Sequence, residues 1–294
     1  KLSVRHVRRH LAARGYREAI TYSFVEPVRG GRLDPGASPR RVENPRSSEQ
    51  SVMRTTLLPG LIDVWRNNRA RQLERLRIFE LGLCFLPGDQ LQQVMRVGGL
   101  MAGARAAERW HDGAAEADFY DLKGDIEQLV RWRGADSAES RPRTSDPVLH
   151  PGQSADLWLD GQWAGRYGRL HPELVATLDL DAPVFLFELE AQVLQRRPLR
   201  RYQRFSKYPS VRRDLALLVG EAVPAAALEE RVKAVLGPLL VDFRLFDVYQ
   251  GKGIDPTRKS IALGLTFQHA SRTLTDDEIN DSMGKIVASL EAEF

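Results

Sequence analysis

"FDVYQGKGIDPTRKSIALGL", Phe246–Leu265, contains two runs of alternating apolar residues on either side of a glycine-rich loop. Both runs are rich in β-branched or aromatic residues, which predicts the two strands of a hairpin. A phosphate-binding P-loop requires G-x-x-x-x-G-K-[ST] between a strand and a helix, and this stretch meets neither condition. The loop cations Lys252, Arg258 and Lys259 therefore either meet an anionic partner from outside or only keep a turn solvated.

The sequence around this hairpin completes a small α+β pattern. Arg213–Val219 is predicted to be a strand, and Pro224 and Gly237 frame a helix. A capping box that begins at Thr275 opens a second helix. The order β-α-β-β-α is the ferredoxin-like pattern without its last strand. Either the chain is truncated near Phe294 or the sheet has three strands.

The first two thirds of the chain are predicted to contain more strands than helices. Strands are expected at Leu76–Leu86, at 94–102 and at 184–189, and the alternation of Ile20, Tyr22 and Phe24 predicts another. The pair Asp160-Gly161 predicts a two-residue hairpin turn. Consecutive strands joined in this way indicate an antiparallel sheet with packed helices. A polar, proline-containing stretch after residue 196 predicts a domain boundary. We therefore expect one domain at residues 1–196 and a second at residues 201–294.

The composition is typical of a soluble globular protein. The 294 residues are 43% hydrophobic and 28% charged, and no apolar run is long enough to span a membrane. The single cysteine, Cys84, excludes an internal disulfide and indicates a reducing compartment, the cytoplasm. Cys84 lies in an apolar run, so we expect it in the core rather than in a nucleophilic site.

The distribution of charge favours an anionic partner. Residues 1–80 hold 17 Lys and Arg against 8 Asp and Glu, although solvated helix faces would give the same excess. Cations alternate with aromatic residues in "RYQRFSKYPSVRRD", Arg201–Asp214. This mixture suits nucleic acid, because cations attract phosphates and aromatic rings stack on unpaired bases. The alternative is a basic linker whose aromatic residues pack on the first strand.

Motifs for metal binding or catalysis are weak. His6 and His10 have helical i, i+4 spacing, but arginines stand between them and the glutamate of H-E-x-x-H is absent. Asp118, Asp121 and Asp125 are better explained as residues that cap and favour a helix N-terminus. No local motif indicates a nucleophile. We therefore predict no catalytic residue and no metal ligand in this chain.

Along nearly the whole chain, short stretches of sequence resemble one protein family and occur in the same order as in that family. "RRDLALLV", "LFDVYQGKGI", "KSIALGLTFQ" and "SRTLTDDEI" resemble the ferredoxin-fold anticodon-binding domain that ends the bacterial phenylalanyl-tRNA synthetase β subunit. Before them, "RGYREAITYSFVEP", "MRTTLLPGLI", "RIFELG", "DFYDLKGDIE", "LHPGQSA" and "GRLHPEL" are similar to the class II synthetase-like module of that subunit. The resemblance implies an antiparallel class II-like sheet followed by a ferredoxin-like βαββα(β) domain.

The resemblance also implies a function. In that family an α2β2 tetramer attaches phenylalanine to its tRNA with ATP and Mg²⁺, and the α subunit is the catalyst. Class II sites hold ATP phosphates with two arginines. The corresponding stretches here, Leu81–Phe85 and Phe185–Glu190, contain none. The chain is thus expected to be a noncatalytic part that binds the α subunit and tRNA(Phe), with no cofactor, DNA or membrane of its own. The regions that resemble the OB-fold and editing domains are absent from it.

The expected tRNA contacts lie on the second domain. They are residues before and in its first strand and residues of its hairpin: Lys207, Tyr208, Arg212, Arg213, Lys252, Arg258 and Lys259. Residues 201–294 contain 13 Lys and Arg and 13 Asp and Glu, so any RNA-binding face must be local. The arginine-rich helix at 57–71 faces either the α subunit or tRNA. Two alternatives stay open: a synthetase active by itself, and a free-standing regulatory or RNA-binding protein with a ferredoxin-like ligand domain.

Overall fold

The computed structural model describes residues 3–88, 90–110, 115–134, 138–196 and 205–294. The chain divides into two compact units, Lys1–Arg200 and Arg201–Phe294. The cations Arg201 and Arg204 of the basic stretch lie outside the described residues. No helix in the described ranges has the length and apolar content that a membrane span needs.

The first unit is built on a large sheet. Its strands are β1 (Arg17–Glu18), β2 (Phe24–Val25), β3 (Val52–Met53), β4 (Leu76–Leu86), β5 (Gln92–Ala102), β6 (Ala138–Pro142), β7 (Leu149–Leu159), β8 (Gln162–Leu170) and β9 (Val184–Glu190). Its helices are α1 (Val4–Ala13), α2 (Pro27–Leu33), α3 (Leu58–Arg69), α4 (Phe119–Arg133), α5 (Pro172–Thr177) and α6 (Ala191–Gln195). Seven strands pair in the order β1-β4-β5-β9-β8-β7-β6, and β2 pairs with β3.

Pairing within the seven-stranded sheet is antiparallel except between β1 and β4, so the predicted antiparallel sheet is confirmed. The predicted turn between β7 and β8 is confirmed as well. Asp160 and Gly161 both have positive φ, 50° and 74°, as a type I′ turn requires. This turn fixes the register of the β7–β8 hairpin.

Both faces of this sheet are covered. One face packs against α1, α4 and α6 through residues such as Leu11, Ile126 and Phe187. The opposite face packs against α3, where Leu61 and Trp65 are fully buried. Cys84 belongs to this second core, and burial raises the pKa of its thiol to about 12. The prediction that Cys84 is a core residue is therefore confirmed.

The predicted strand through Ile20, Tyr22 and Phe24 is wrong. The chain forms β1, leaves the sheet and pairs again only at β2, so Ile20 and Tyr22 are 92% and 74% exposed. The cause is a polar contact, because the Thr21 hydroxyl donates a hydrogen bond to Glu80 at 2.7 Å. Gly60 makes room for Thr21, since a Cβ there would lie 2.2 Å from the Thr21 hydroxyl.

The aspartates before and within α4 have two different roles. Asp118 and Asp121 form a capping box at the start of α4, which confirms the capping prediction for both. Asp125 is instead buried and accepts hydrogen bonds from Arg14, Tyr16 and Arg77. Burial and this carboxylate raise the pKa of the Tyr16 hydroxyl well above its ordinary value. Asp125 therefore joins α4 to β4 and to the connection between α1 and β1, a role that local spacing did not reveal.

The second unit is a three-stranded antiparallel sheet with two helices. Its elements are β10 (Val211–Gly220), α7 (Ala225–Leu236), β11 (Leu240–Tyr249), β12 (Arg258–Phe267) and α8 (Asp276–Glu293), in the predicted β-α-β-β-α order. The strands pair in the order β10-β12-β11, so β12 is central. The capping box at Thr275 is confirmed. Hydrogen bonds from Arg272 and the Thr275 amide lower the pKa of Glu278 to about 2.

Both helices pack on the same face of this second sheet. Leu228 and Val232 of α7 and Ile286 of α8 meet core residues of β12 such as Leu263 and Leu265. Side chains alternate along a strand, so the residues between those core positions point to the opposite face. We call this opposite side, which neither α7 nor α8 covers, the outer face.

Candidate nucleic-acid interface

The outer face combines a centre of small side chains with flanks that carry aromatic and charged residues. The charged residues on the flanking strands β10 and β11 are two arginines and three aspartates: Arg212, Arg244, Asp214, Asp242 and Asp247. The outward residues of the central strand β12 are small: Ser260, Ala262, Gly264 and Thr266. Phe246 and Tyr249 of β11 stand on one side and are about half exposed, 49% and 47%. Arg212 of β10 stands on the other side. A flat surface with exposed aromatic rings and a guanidinium suits an unpaired base, because bases stack on aromatic and guanidinium planes.

Arg212 is held across this surface by two contacts. Its Nε donates to Asp214 Oδ1 at 2.8 Å, and its guanidinium lies 5.3 Å from the centre of the Phe246 ring. The lack of a side chain at Gly264 permits this position, since a Cβ there would lie 2.8–3.0 Å from the guanidinium atoms. Arg212 thus reaches from β10 over β12 toward β11, and it presents both a charge and a plane to solvent.

Arg213 lies on the other side of the same strand. Its register partner is Leu265, a core residue, and its Nη2 donates to Asp276 at the start of α8 at 3.1 Å. The two adjacent arginines were predicted as one site because they are neighbours in sequence. The alternation of a β-strand separates them onto opposite faces of the sheet.

Lys207 and Tyr208 lie at the same end of the sheet as Arg212. The Tyr208 carbonyl accepts a hydrogen bond from Gln268 Nε2 at 2.7 Å, just beyond the last pair of β12. The Tyr208 amide donates to Ser206 Oγ, which fixes the segment before β10. Lys207 is exposed and forms no ion pair with any residue in the described ranges. These two residues and Arg212 form one group of candidate contacts.

The hairpin cations lie at the opposite end. Arg258 pairs with Gly220, which lies eight residues after Arg212 on β10. At about 3.3 Å per residue, the two ends are roughly 26 Å apart. Lys259 donates to the Glu221 carbonyl at 2.7 Å, whereas Lys252 and Arg258 are exposed in and beside the loop. Six of the seven predicted residues therefore form two separated groups of three along one sheet, and Arg213 belongs to neither group.

The first unit carries arginines of a different kind. Arg54 Nη1 donates to Glu80 Oε1 at 2.8 Å, and Arg96 Nη1 donates to Glu188 Oε2 at 2.7 Å. Glu188 also accepts from the Thr56 hydroxyl and the Leu57 amide, at 2.9 and 2.7 Å. Both glutamates are buried. These pairs lie on the face covered by α3, directly below Leu57 and the start of that helix.

Comparison with known proteins assigns the family. Residues 1–191 match the family model "Phenylalanyl tRNA synthetase beta chain CLM domain", and residues 206–294 match "Ferredoxin-fold anticodon binding domain". The chain belongs to the phenylalanyl-tRNA synthetase beta chain family. The outer face and all seven predicted contact residues, including Arg213 on the helix side, lie within residues 206–294, the part that matches the anticodon-binding model.

Relatives within this beta chain family are much longer than this chain. The chain is 47% identical over 287 residues to a phenylalanine–tRNA ligase beta subunit of Pseudomonas putida, with 97% of this chain and 36% of the relative covered. Beta subunits of Methylococcus capsulatus and Coxiella burnetii are 45% and 43% identical, with 100% of this chain and 37% of each relative covered. The chain therefore spans little more than a third of the length of these relatives.

The beta chain part also exposes an apolar segment, Ile20–Val28. Ile20, Tyr22 and Val28 are largely exposed, and the segment borders a cavity of about 390 Å³. The other wall of the cavity is α3, with Pro59 and Val64. Large apolar side chains clustered on a surface are typical of protein–protein contacts.

The sequence analysis of this beta chain member missed several residues of the outer face. Phe246 and Tyr249 were assigned only to a strand, and Gly264 and Asp214 were assigned no role. The signal was present, because once β10 and β12 pair antiparallel, alternation places Arg212, Asp214 and Gly264 on one face. Phe246 could not be placed in this way, since a β-bulge between Leu245 and Asp247 shifts the register there.

Proposed function

We propose that this chain is the C-terminal part of a phenylalanine–tRNA ligase β subunit that binds tRNA(Phe) and scaffolds an α subunit. The observation that supports it best is the Arg212–Phe246 pair on the uncovered outer face of a domain that matches an anticodon-binding model. The complete ligase would charge tRNA(Phe) with phenylalanine, using ATP and Mg²⁺ in the cytoplasm, with catalysis in the α subunit.

The RNA ligand best suited to this surface is a single-stranded segment. Bases of a duplex are stacked on one another, whereas bases of a loop are free to lie on Phe246 and Tyr249. Lys207 and Arg212 at one end and Lys252 and Arg258 at the other provide charge for the phosphates of the same strand. The small residues of β12 keep the surface between the two ends low, and the Arg212 guanidinium lies over Gly264, where a base could stack on it. The outer face would thus bind an anticodon loop through stacking and phosphate contacts.

The first unit does not fit ATP and Mg²⁺ on the face of its sheet that α3 covers. Helix α3 packs directly on that face, and Leu57 and Leu61 fill the space above Gly98. The glutamates there would repel phosphate, and their arginine partners are already in ion pairs. We therefore propose that this unit serves as a scaffold and does not activate phenylalanine.

The exposed segment Ile20–Val28 is the best candidate surface for the α subunit. Its apolar side chains would leave water on association, which is the main driving force for a stable interface. Arg29 and Asp63 form an ion pair at the edge of the cavity beside it and would lie at a polar rim. This assignment favours the α subunit over tRNA for the neighbouring helix α3.

Matched arginine variants test the RNA-binding proposal. Fluorescence anisotropy of labelled tRNA(Phe), titrated with the chain at several salt concentrations, compares wild type with Arg212→Ala and Arg213→Ala. Both variants remove one charge from the same strand, but only Arg212 lies on the outer face. We expect Arg212→Ala to weaken binding and to reduce the salt slope by about one. Equal effects of the two variants would contradict the assignment to the outer face.

Two further measurements separate the parts of the proposal. Arg258→Ala should weaken binding of the tRNA and of an isolated anticodon stem-loop alike, if one strand spans both ends of the sheet. Phenylalanine-dependent ATP–pyrophosphate exchange should be absent from the isolated chain and appear only when the α subunit is added. Exchange by the chain alone would overturn the scaffold assignment for the first unit.

A further inference from the structure

The second unit contains a cavity on its helix side that the outer face does not use. It lies between the end of α7 and the start of α8, below the end of β12, and has a volume of about 440 Å³. Its walls are mainly apolar, from Leu236, Leu239, Phe267, Leu274 and Ile279. His269, Arg272 and Glu278 stand among its polar lining residues. A cavity of this size and lining suits an apolar ring.

An exposed aromatic residue immediately precedes a residue that is hydrogen-bonded to the lining of this cavity. Phe205 precedes the first strand of the unit and is 86% exposed, which is unfavourable for a phenyl ring. The next residue, Ser206, donates its hydroxyl proton to the carbonyl of His269 at 2.8 Å. Gln268 bonds the Tyr208 carbonyl, so two side-chain hydrogen bonds tie this segment to the end of β12. Phe205 is therefore attached one residue away from the backbone of a residue that lines the cavity.

We propose that Phe205 is a strap whose ring closes into this cavity and anchors the chain where it enters the second unit. The Ser206 hydrogen bond to the His269 carbonyl holds the segment at the cavity, and the Cα atom of Phe205 is only about 3.8 Å from that of Ser206, so the ring starts one residue from the cavity lining. The closed strap lies on the helix side of the sheet. It leaves the outer face open and anchors the segment that leads into β10. This inference does not depend on the function proposed above.

The competing role for Phe205 is an RNA contact. The ring of Phe205 would then stack on a base. Its removal would weaken RNA binding and would leave amide exchange at the end of β12 unchanged. The two roles make opposite predictions for the same variant. Both can be measured on the complete chain.

Photo-crosslinking tests where the ring lies. Replacement of Phe205 by p-benzoylphenylalanine keeps an aromatic probe at this position, and the same probe at Leu218, half exposed on the outer face, is the control. After irradiation, mass spectrometry should find adducts of the Phe205 probe on Leu239, Leu274, Ile279 or Ser282, and none of the control probe there. A second variant, Ser282→Phe, fills the cavity and should abolish those adducts. Adducts scattered over other residues would overturn the strap.

Hydrogen exchange and RNA binding of Phe205→Ala give an independent test. Loss of the anchor should raise the exchange of amides near Ser206 and His269 by roughly tenfold, because the segment opens more often. Leu218→Ala should leave these amides unchanged. Affinity for tRNA(Phe) should be the same for wild type and Phe205→Ala. Unchanged exchange with weakened RNA binding would assign Phe205 to the RNA site and overturn the proposal.

Discussion

The two sheets of this protein use arginine and carboxylate pairs in opposite ways. In the first unit helices cover both faces of the sheet, and Arg54 and Arg96 meet buried glutamates below α3. In the second unit helices cover one face, and Arg212 on the other face meets the exposed Asp214. A charge pair is structural where it is desolvated and available to a ligand where water still reaches it.

The largest expected effect is the removal of a buried partner. Glu80→Ala leaves Arg54 buried without its carboxylate, and such a change destabilises a protein by about 3–5 kcal/mol. Urea unfolding followed by tryptophan fluorescence measures it, because all five tryptophans lie in the first unit. The matched change in the second unit is Asp214→Ala, which should change stability by less than about 1 kcal/mol. Similar losses for the two variants would break the comparison.

A second buried carboxylate predicts how the first unit responds to acid. Burial alone would raise the pKa of Asp146, but Arg166, the Val148 amide and Arg143 outweigh burial and hold that pKa below its ordinary value. Because the folded pKa is depressed, Asp146 stabilises the fold above an unfolded pKa of about 3.9, and this contribution disappears as pH falls through the folded value.

Asp146→Asn tests this response. It should lower the free energy of unfolding by about 1.5–3 kcal/mol at neutral pH, because the amide cannot replace charge-assisted bonds to two arginines. The difference from wild type should shrink as pH falls from about 4 toward the lower folded pKa of Asp146, below which the wild-type carboxylate is protonated in the folded state as well. Denaturation curves at several pH values would show it. If the difference in the free energy of unfolding between wild type and Asp146→Asn were the same at every pH, Asp146 would not contribute to the response to acid.

Phe246, whose ring lies beside Arg212 on the outer face, is expected to contribute to RNA binding rather than to stability. Phe246→Ala removes the ring that faces Arg212, and the loss of one stacked base weakens single-stranded RNA binding by about 1–3 kcal/mol. Since Phe246 is half exposed, thermal unfolding of the variant should stay close to wild type. Val241→Ala, an equally exposed change on the same strand, is the control. Equal RNA binding by Phe246→Ala and wild type would exclude stacking on this ring.

A substitution at Gly264 tests the position of the Arg212 side chain without changing its charge. In Gly264→Ala the added Cβ lies where the guanidinium now rests, so Arg212 must move while the number of charges stays the same. The flexible end of the side chain moves at little cost, so the fold should be retained. Anisotropy should show weaker tRNA binding with an unchanged salt slope. A reduced slope would mean that the change also removed a phosphate contact.

Local patterns predicted most elements of the fold because their signals act over a few residues. The strand Leu76–Leu86, the turn at Asp160 and the capping box at Thr275 follow from alternation, positive φ and side-chain caps. The segment at Ile20 was predicted wrongly because its conformation depends on Glu80, far away in sequence. The seven predicted RNA contacts stay predictions. Their division into two ends and two faces required the register of β10 on β12.

The smallest expected effect has the opposite sign. Asp214→Ala removes the carboxylate beside Arg212, so the outer face becomes more positive and tRNA should bind more tightly. One unit charge at about 4 Å is worth roughly 1 kcal/mol in water, which corresponds to about fivefold in affinity at low salt and less at high salt. Asp276→Ala is the matched control, because Asp276 pairs with Arg213 on the helix side. Glu80→Ala should destabilise the first unit, whereas Asp214→Ala should strengthen RNA binding by the second. That outcome would show that solvent access to an arginine–carboxylate pair decides its role. Tighter binding by both Asp214→Ala and Asp276→Ala would instead indicate a general effect of net charge.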